Sequence, residues 1–477
     1  MIEIQIRRPV FGMLIFPLLL MSTISPALPA EPPLRVGFAA EDITPAVGDR
    51  PVWMAGFGNN RAATGIHDSL GARAIVLDSG GRRIALVTVD LVGLFLDSVE
   101  RIRAKLEGFD YVLVSSTHGH EGPDTMGLWG PNQGVSGVDA EYLRRVEDRV
   151  AAAARAAAER LELADVRFGS ARDPGSPGLV ADGREPYVKD DEIRVLLFRR
   201  PGGPPVGVLV QWNCHPETLG SKNTLISADF VHYTRQYLEK KFACPVAFFS
   251  GDIGGMMTSL GLEVHDVNGQ KLAENSFEKT ERLGELVGQF AERTITSAKP
   301  IQLSPFAIKS RKLYLPQDNL GYTTLFSLGV VDRKSFRWEG SPDKATPAAT
   351  RIPTGRMAIQ TEIGVLRLGE LTIVAVPGEL YPELAVGPIQ DPQDPGADFE
   401  GEPKEPTIFE SIGAGKKKLL FGLANDEIGY IIPKSQWDVQ PPFCFGRKKS
   451  QYGESNSLGP ETAPILCRAI SDLLKEE

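Results

Sequence analysis

The chain has 477 residues, 24% of them charged, with a formal net charge of −9. An acidic balance without a basic stripe excludes a nucleic-acid partner held by phosphate contacts. Four cysteines without a CxxC pair exclude a thiolate zinc finger, and the length allows one large core or two merged layers.

The first thirty residues read as an export leader. Arg7 and Arg8 form a charged region, 10–24 is an apolar run, and 25–30 supply small residues suited to cleavage near Ala27 or Ala30. The run is shorter than the roughly 20 residues of a membrane span, and Pro17 interrupts it, so a signal anchor ranks second. No later stretch is apolar enough to span a bilayer. The expected organisation is a signal peptide over 1–30 and one domain over 31–477, exported to a periplasm or to the cell exterior. Losing Arg7, Arg8 and Glu3 leaves the mature chain one charge unit more negative. Cys214, Cys244, Cys444 and Cys467 read as buried ordinary thiols or incidental bridges.

Residues 34–44 read as an opening strand. Two β-rich runs, 74–78 and 83–89, flank Ser79-Gly80-Gly81 as a hairpin. A short helix over 97–106 precedes a β-branched run from Tyr111 that stops at Thr117-His118-Gly119-His120. A long Ala/Arg/Glu-rich helix follows over 139–163. A second hairpin, 193–199 with 206–212, ends at Asn213-Cys214-His215. Then come a helix over 229–242, a buried strand over 245–250 that runs into Gly251-Asp252, and a helix over 278–297. Strands are expected over 301–315 and 363–376, the latter broken by a turn at Gly369-Glu370 and ending at Pro377-Gly378-Glu379. A strand over 418–424 precedes Asn425, and a helix over 460–475 closes the chain. Segments 337–353 and 390–406 read as loosely ordered. Hairpins interrupt the strand–helix alternation, which predicts an α/β fold with a mixed β-sheet core flanked by helices.

Six histidines are present, and His118, His120 and His215 stand at strand ends, where α/β enzymes place their chemistry. Neutral imidazoles there suit zinc, with a carboxylate completing the set. Glu379 is the candidate carboxylate; it also reads as a helix N-terminal acid. His232 and His265 read as structural or solvent-facing. No Asp-then-His follows the His118/His120 pair, and no Gly-x-Ser-x-Gly elbow supplies a serine nucleophile.

From about Val36 onward the chain resembles the neutral/alkaline non-lysosomal ceramidases, zinc amidohydrolases of the ceramide N-acyl bond. The resemblance rests on ordered blocks: Val36-Gly37 with Asp42-Ile43-Thr44-Pro45, Gly65-Ile66-His67-Asp68, Thr117-His118-Gly119-His120 with Gly122-Pro123, the strand ending at His215, Gly251-Asp252, Pro377-x-Glu379, and Asn425 with Tyr430. It implies one zinc per chain on His118, His215, Glu379 and Tyr430. His120 would then be a catalytic acid/base, and Arg184 and Tyr452 would face the substrate and stabilise an oxyanion. The implied activity is hydrolysis of an N-acyl amide by zinc-activated water. The implied partners are a small-molecule or lipid substrate and transient contact with a membrane surface.

Three departures mark this sequence. Gly254 stands where the family has a serine, Glu121 changes the lip of the site, and the family's C-terminal immunoglobulin-like domain is not expected within 31–477. A zinc esterase or lactonase on another small substrate, and a non-catalytic zinc-stabilised surface or binding protein, are the alternatives.

Overall fold

The computed structural model describes residues 1–10, 12, 32–173, 175 and 178–476. Most of the expected leader therefore lies outside the described residues. Pro32–Glu477 forms one compact unit.

Three mixed sheets face one another around a common core. The first runs Tyr111–Ser116, Arg82–Val89, Gly71–Ser79, Leu34–Asp42 and the short Glu162–Leu163. The second runs Val246–Ser250, Pro205–Trp212, Glu192–Arg199, Asp165–Arg172 and Lys299–Ile301. The third runs Lys344–Pro347, Phe336–Ser341, Met357–Leu368, Leu371–Ala375 and Lys417–Phe421, with Phe306–Gln317 also paired to Met357–Leu368. Phe38 and Leu113 from the first sheet, Leu196 and Phe249 from the second, and Ile373 and Phe421 from the third meet in that core. Strands this apolar bury both faces only if something covers the outside. Helices do so: Ala140–Glu159 lays Ala151, Ala154 and Ala157 on the first sheet. Asp229–Phe242 and Phe277–Ser297 cover the second through Phe230, Leu283 and Phe290. Thr462–Lys475 covers the third through Leu466 and Ile470.

Each sheet is mostly antiparallel but ends in one parallel pair: Tyr111–Ser116 on Arg82–Val89, Val246–Ser250 on Pro205–Trp212, and Lys417–Phe421 on Leu371–Ala375. The C-terminal ends of these pairs converge and are stitched together. Asn425 N donates to Val114 O at 2.7 Å, Gly422 N to Ser250 O at 3.0 Å, and the Ser250 hydroxyl to Thr117 O at 2.7 Å. The segments leaving these ends carry His118, His120, His215, Glu379 and Tyr430.

The mixed α/β reading agrees with this architecture. The segment read as loosely ordered at 337–353 instead carries a hairpin, Phe336–Ser341 with Lys344–Pro347, that extends the third sheet. Phe336 is its only buried residue, so the pair leaves no long apolar run to read. The strand expected over 301–315 is two: Lys299–Ile301 belongs to the second sheet and Phe306–Gln317 to the third. The long helix stops at Glu159, because 162–163 pair with the opening strand. Asp165–Arg172, a strand with charge at both ends, was not anticipated. All four cysteines are buried free thiols. Among the described residues no helix is long and apolar enough to cross a membrane.

Candidate metal centre

His118 follows a strand buried at every position, and a positive φ of 69° turns the chain there. Its Nδ1 donates to Val92 O at 2.7 Å. His215 is held in the same manner, with Nδ1 donating to Met257 O at 2.9 Å. A carbonyl partner on Nδ1 fixes the tautomer and leaves the Nε2 lone pair free to ligate. Glu379 closes the group. Its Oε2 lies 2.9 Å from His215 Nε2 and 3.5 Å from His118 Nε2. Its backbone pairs in parallel register with Tyr430, so the two side chains stand side by side. The Tyr430 hydroxyl lies 3.5 Å from Met256 Sδ.

His120 joins this cluster. Ligand atoms of His118, His120 and His215 all lie within 4.8 Å of one another, and all three residues are buried. This donor set fits a divalent ion that favours nitrogen and carboxylate oxygen. His118 and His120 remain neutral. Burial takes His118 down to about 4 and His120 well below its ordinary value, with neighbouring histidines adding to the effect on both. His215 behaves oppositely. Burial pulls it down, but the Glu379 hydrogen bond and the Glu217 and Glu379 charges outweigh this and raise it to about 9. Burial likewise pushes Glu379 up, yet His118 and His215 hold it below the usual carboxylate range. His215 and Glu379 are joined by a 2.9 Å hydrogen bond, and a cation bound between them would take the place of its proton.

Tyr452 is half exposed and packs its ring 5.7 Å from that of Tyr430. Its hydroxyl accepts from Asn456 Nδ2 at 2.9 Å, and burial raises its phenol to about 12, so the proton stays on at neutral pH. Arg184 does not join the cluster. Its guanidinium is buried against Glu454, at 2.7 and 2.9 Å, and also donates to Tyr452 O and Gln436 O. It thereby fixes the loop that presents Tyr452.

Sequence reasoning missed three neighbours. Glu217 Oε2 lies 3.4 Å from His120 Nδ1, and its other oxygen accepts from the Thr258 hydroxyl. Arg61 binds Glu121 at 3.1 Å and donates to the Ala55 and His120 carbonyls. Glu427 lines the adjoining cavity. Glu217 stands two residues after His215 and was within reach of inspection; Arg61 had no local signal. Two glycines shape the site. Gly56, at φ +97°, passes so close to His120 that a Cβ would sit 2.2 Å from the ring. At Gly254 a Cβ would meet Glu379 O and the Leu380 carbonyl carbon at 2.6 Å, so this chain has no room for a serine there.

His67, His232 and His265 lie apart from the cluster, held by Tyr233, Asp68 and Glu263 respectively. His118, His120, Glu379 and Tyr430 line a cavity of about 160 Å³ together with Val92, Phe95, Met126, Phe326 and Leu458.

No protein-family profile matches the chain. Among solved structures it is similar to neutral ceramidase from Pseudomonas aeruginosa, at 18% identity and a TM-score of 0.68, covering 93% of this chain and 74% of that one. It is also similar to a ceramidase complexed with C2, at 17% identity and a TM-score of 0.65, covering 93% of this chain and 75% of that one. The resemblance read from scattered sequence blocks thus extends to the backbone over nearly all of the chain, which has a neutral-ceramidase-like fold.

Proposed function

We propose that this chain is a zinc-dependent hydrolase that cuts an amide bond, an N-acyl linkage of a ceramide-like lipid. One observation carries the reading: three buried imidazoles converge with Glu379, and His118, His120 and Glu379 line a largely apolar cavity, within a ceramidase-like fold. His118, His215, Glu379 and Tyr430 would hold the ion. Zinc bound there would supply a Lewis acid and lower the pKa of a water toward ~7. His120 is the acid/base: its Nδ1 edge faces Glu217, leaving Nε2 to take a proton and return it to the leaving nitrogen. Tyr452 keeps its phenolic proton and donates to the oxygen where negative charge develops. Arg184 serves by holding the Tyr452 loop, a smaller role than direct oxyanion contact.

The proposal includes a cleaved leader over 1–30, the domain over 31–477, and export. The cavity's modest volume favours a compact substrate, and the second reading is an esterase or lactonase, since zinc-activated water attacks esters more readily than amides. The test is elemental analysis of the purified chain, with hydrolysis of a fluorogenic N-acyl sphingosine before and after chelation. About one zinc per chain and chelator-sensitive amide cleavage support the reading. Zinc without amide cleavage moves the substrate to esters. An absence of zinc in a sample never exposed to chelator removes the metal centre.

A further inference from the structure

Beyond His118, His120 and Glu379 the cavity lining is largely apolar, and its polar members include Arg333, Tyr322, Asn456 and Glu427. Glu427 is 3% exposed and lines the cavity. Its Oε1 accepts from Gly429 N at 2.7 Å, whereas Oε2 is buried with no partner. The nearest cation does not answer it. Arg333 directs its guanidinium to Asp426 at 2.8 Å and to Gln360 O at 3.0 Å, lies 4.7 Å over the Phe95 ring, and reaches only the backbone carbonyl of Glu427. Gly93 approaches so closely that a Cβ there would lie 2.7 Å from Glu427 Cβ, so the side chain has little freedom to turn away. Buried polar atoms are almost always paired, and an orphan on a residue that lines a cavity marks where a ligand can supply the partner.

The cavity's size limits that ligand. Engineered apolar cavities of about 150 Å³ hold benzene, and this one, at about 160 Å³, includes the space before the histidines. It therefore holds a group of about six carbons and does not enclose a long unbranched chain. A hydroxyl suits Oε2 whether or not that oxygen carries a proton, since it both donates and accepts.

We infer that this cavity takes a compact apolar group bearing a hydroxyl, and that Glu427 is the specificity-determining residue that receives the hydroxyl. The inference rests on reading the histidine cluster as the reacting end of the same cavity.

The test needs no turnover. Benzyl alcohol and toluene differ by one hydroxyl and match the cavity in size. Their binding to the zinc-loaded full chain is measured by ligand-observed NMR at neutral pH. Benzyl alcohol should bind about tenfold tighter than toluene despite being the less apolar. Glu427→Gln keeps an acceptor for Gly429 and should retain the order, and Glu427→Leu should reverse it. Equal or reversed affinities in the unaltered chain overturn the inference, whatever the folding of the variants. If the alcohol is preferred but neither amides nor esters are cleaved, the subsite stands and the hydrolytic reading falls. If N-acyl amides are cleaved while the two probes bind equally, the outcome is the opposite.

Discussion

His120 meets the Glu217 carboxylate at 3.4 Å on its Nδ1 edge, and on the proposed reading that contact separates proton handling from metal holding. Glu217→Gln keeps size but removes the charge facing Nδ1. It should lower kcat about tenfold or more while zinc content stays unchanged. His120→Ala should cost on the order of 10²–10⁴ in kcat. Loss of zinc in Glu217→Gln, read by elemental analysis, would instead make Glu217 a ligand-supporting group. Glu379→Ala removes the carboxylate that both His118 and His215 face and should abolish zinc retention and hydrolysis together. Retained zinc in that variant would move the ion to the three histidines alone.

At the scale of elements, the loop from Tyr430 to Asn456 is fixed by one buried ion pair, Arg184 with Glu454, each side chain 2% exposed. Arg184→Ala leaves Glu454 buried without its cation, and losing one partner of such a pair costs about 3–5 kcal/mol. The melting temperature should fall accordingly, and Tyr452 should become a faster target for limited proteolysis of its loop. An unchanged melting temperature would show that the pair does not fasten the loop. This pairing was not legible in the sequence because its members lie 270 residues apart. The strands ending in His118 and His215 were legible, since β-branched apolar runs that stop abruptly at polar residues carry their own signal. Glu379 was legible for the same reason. The partition of strands among three sheets was not, because pairing is a non-local choice. The hairpin Phe336–Ser341 with Lys344–Pro347 escaped because a mostly exposed strand pair buries too little to imprint a pattern. Glu217 and Glu427 escaped because an acid beside a motif reads as surface until the fold shows it buried.

At the scale of the whole molecule, buried carboxyls set a pH dependence separable from the metal. Burial is the leading cause that raises Glu383 to about 8, and Asp182 nearby adds to it. The folded chain therefore holds a proton there that the unfolded chain releases near the ordinary carboxylate value. Stability lent by this group is fully present below about pH 4.5 and is lost as pH rises toward 8. Melting curves of chelated protein from pH 5 to 8 should show Glu383→Gln gaining on the unaltered chain as pH rises. A constant difference across that range would mean that Glu383 ionises freely.

Three sheets whose parallel edges converge have a consequence for the order of events in the life of the chain. His118, His215 and Glu379 leave three different sheets, so no partly formed intermediate with one sheet missing presents the complete set. Capture of an ion by the proposed metal centre would then be a late event that reports on completed assembly. A chain arrested before the third sheet closes would be distinguishable from the finished molecule simply by being metal-poor.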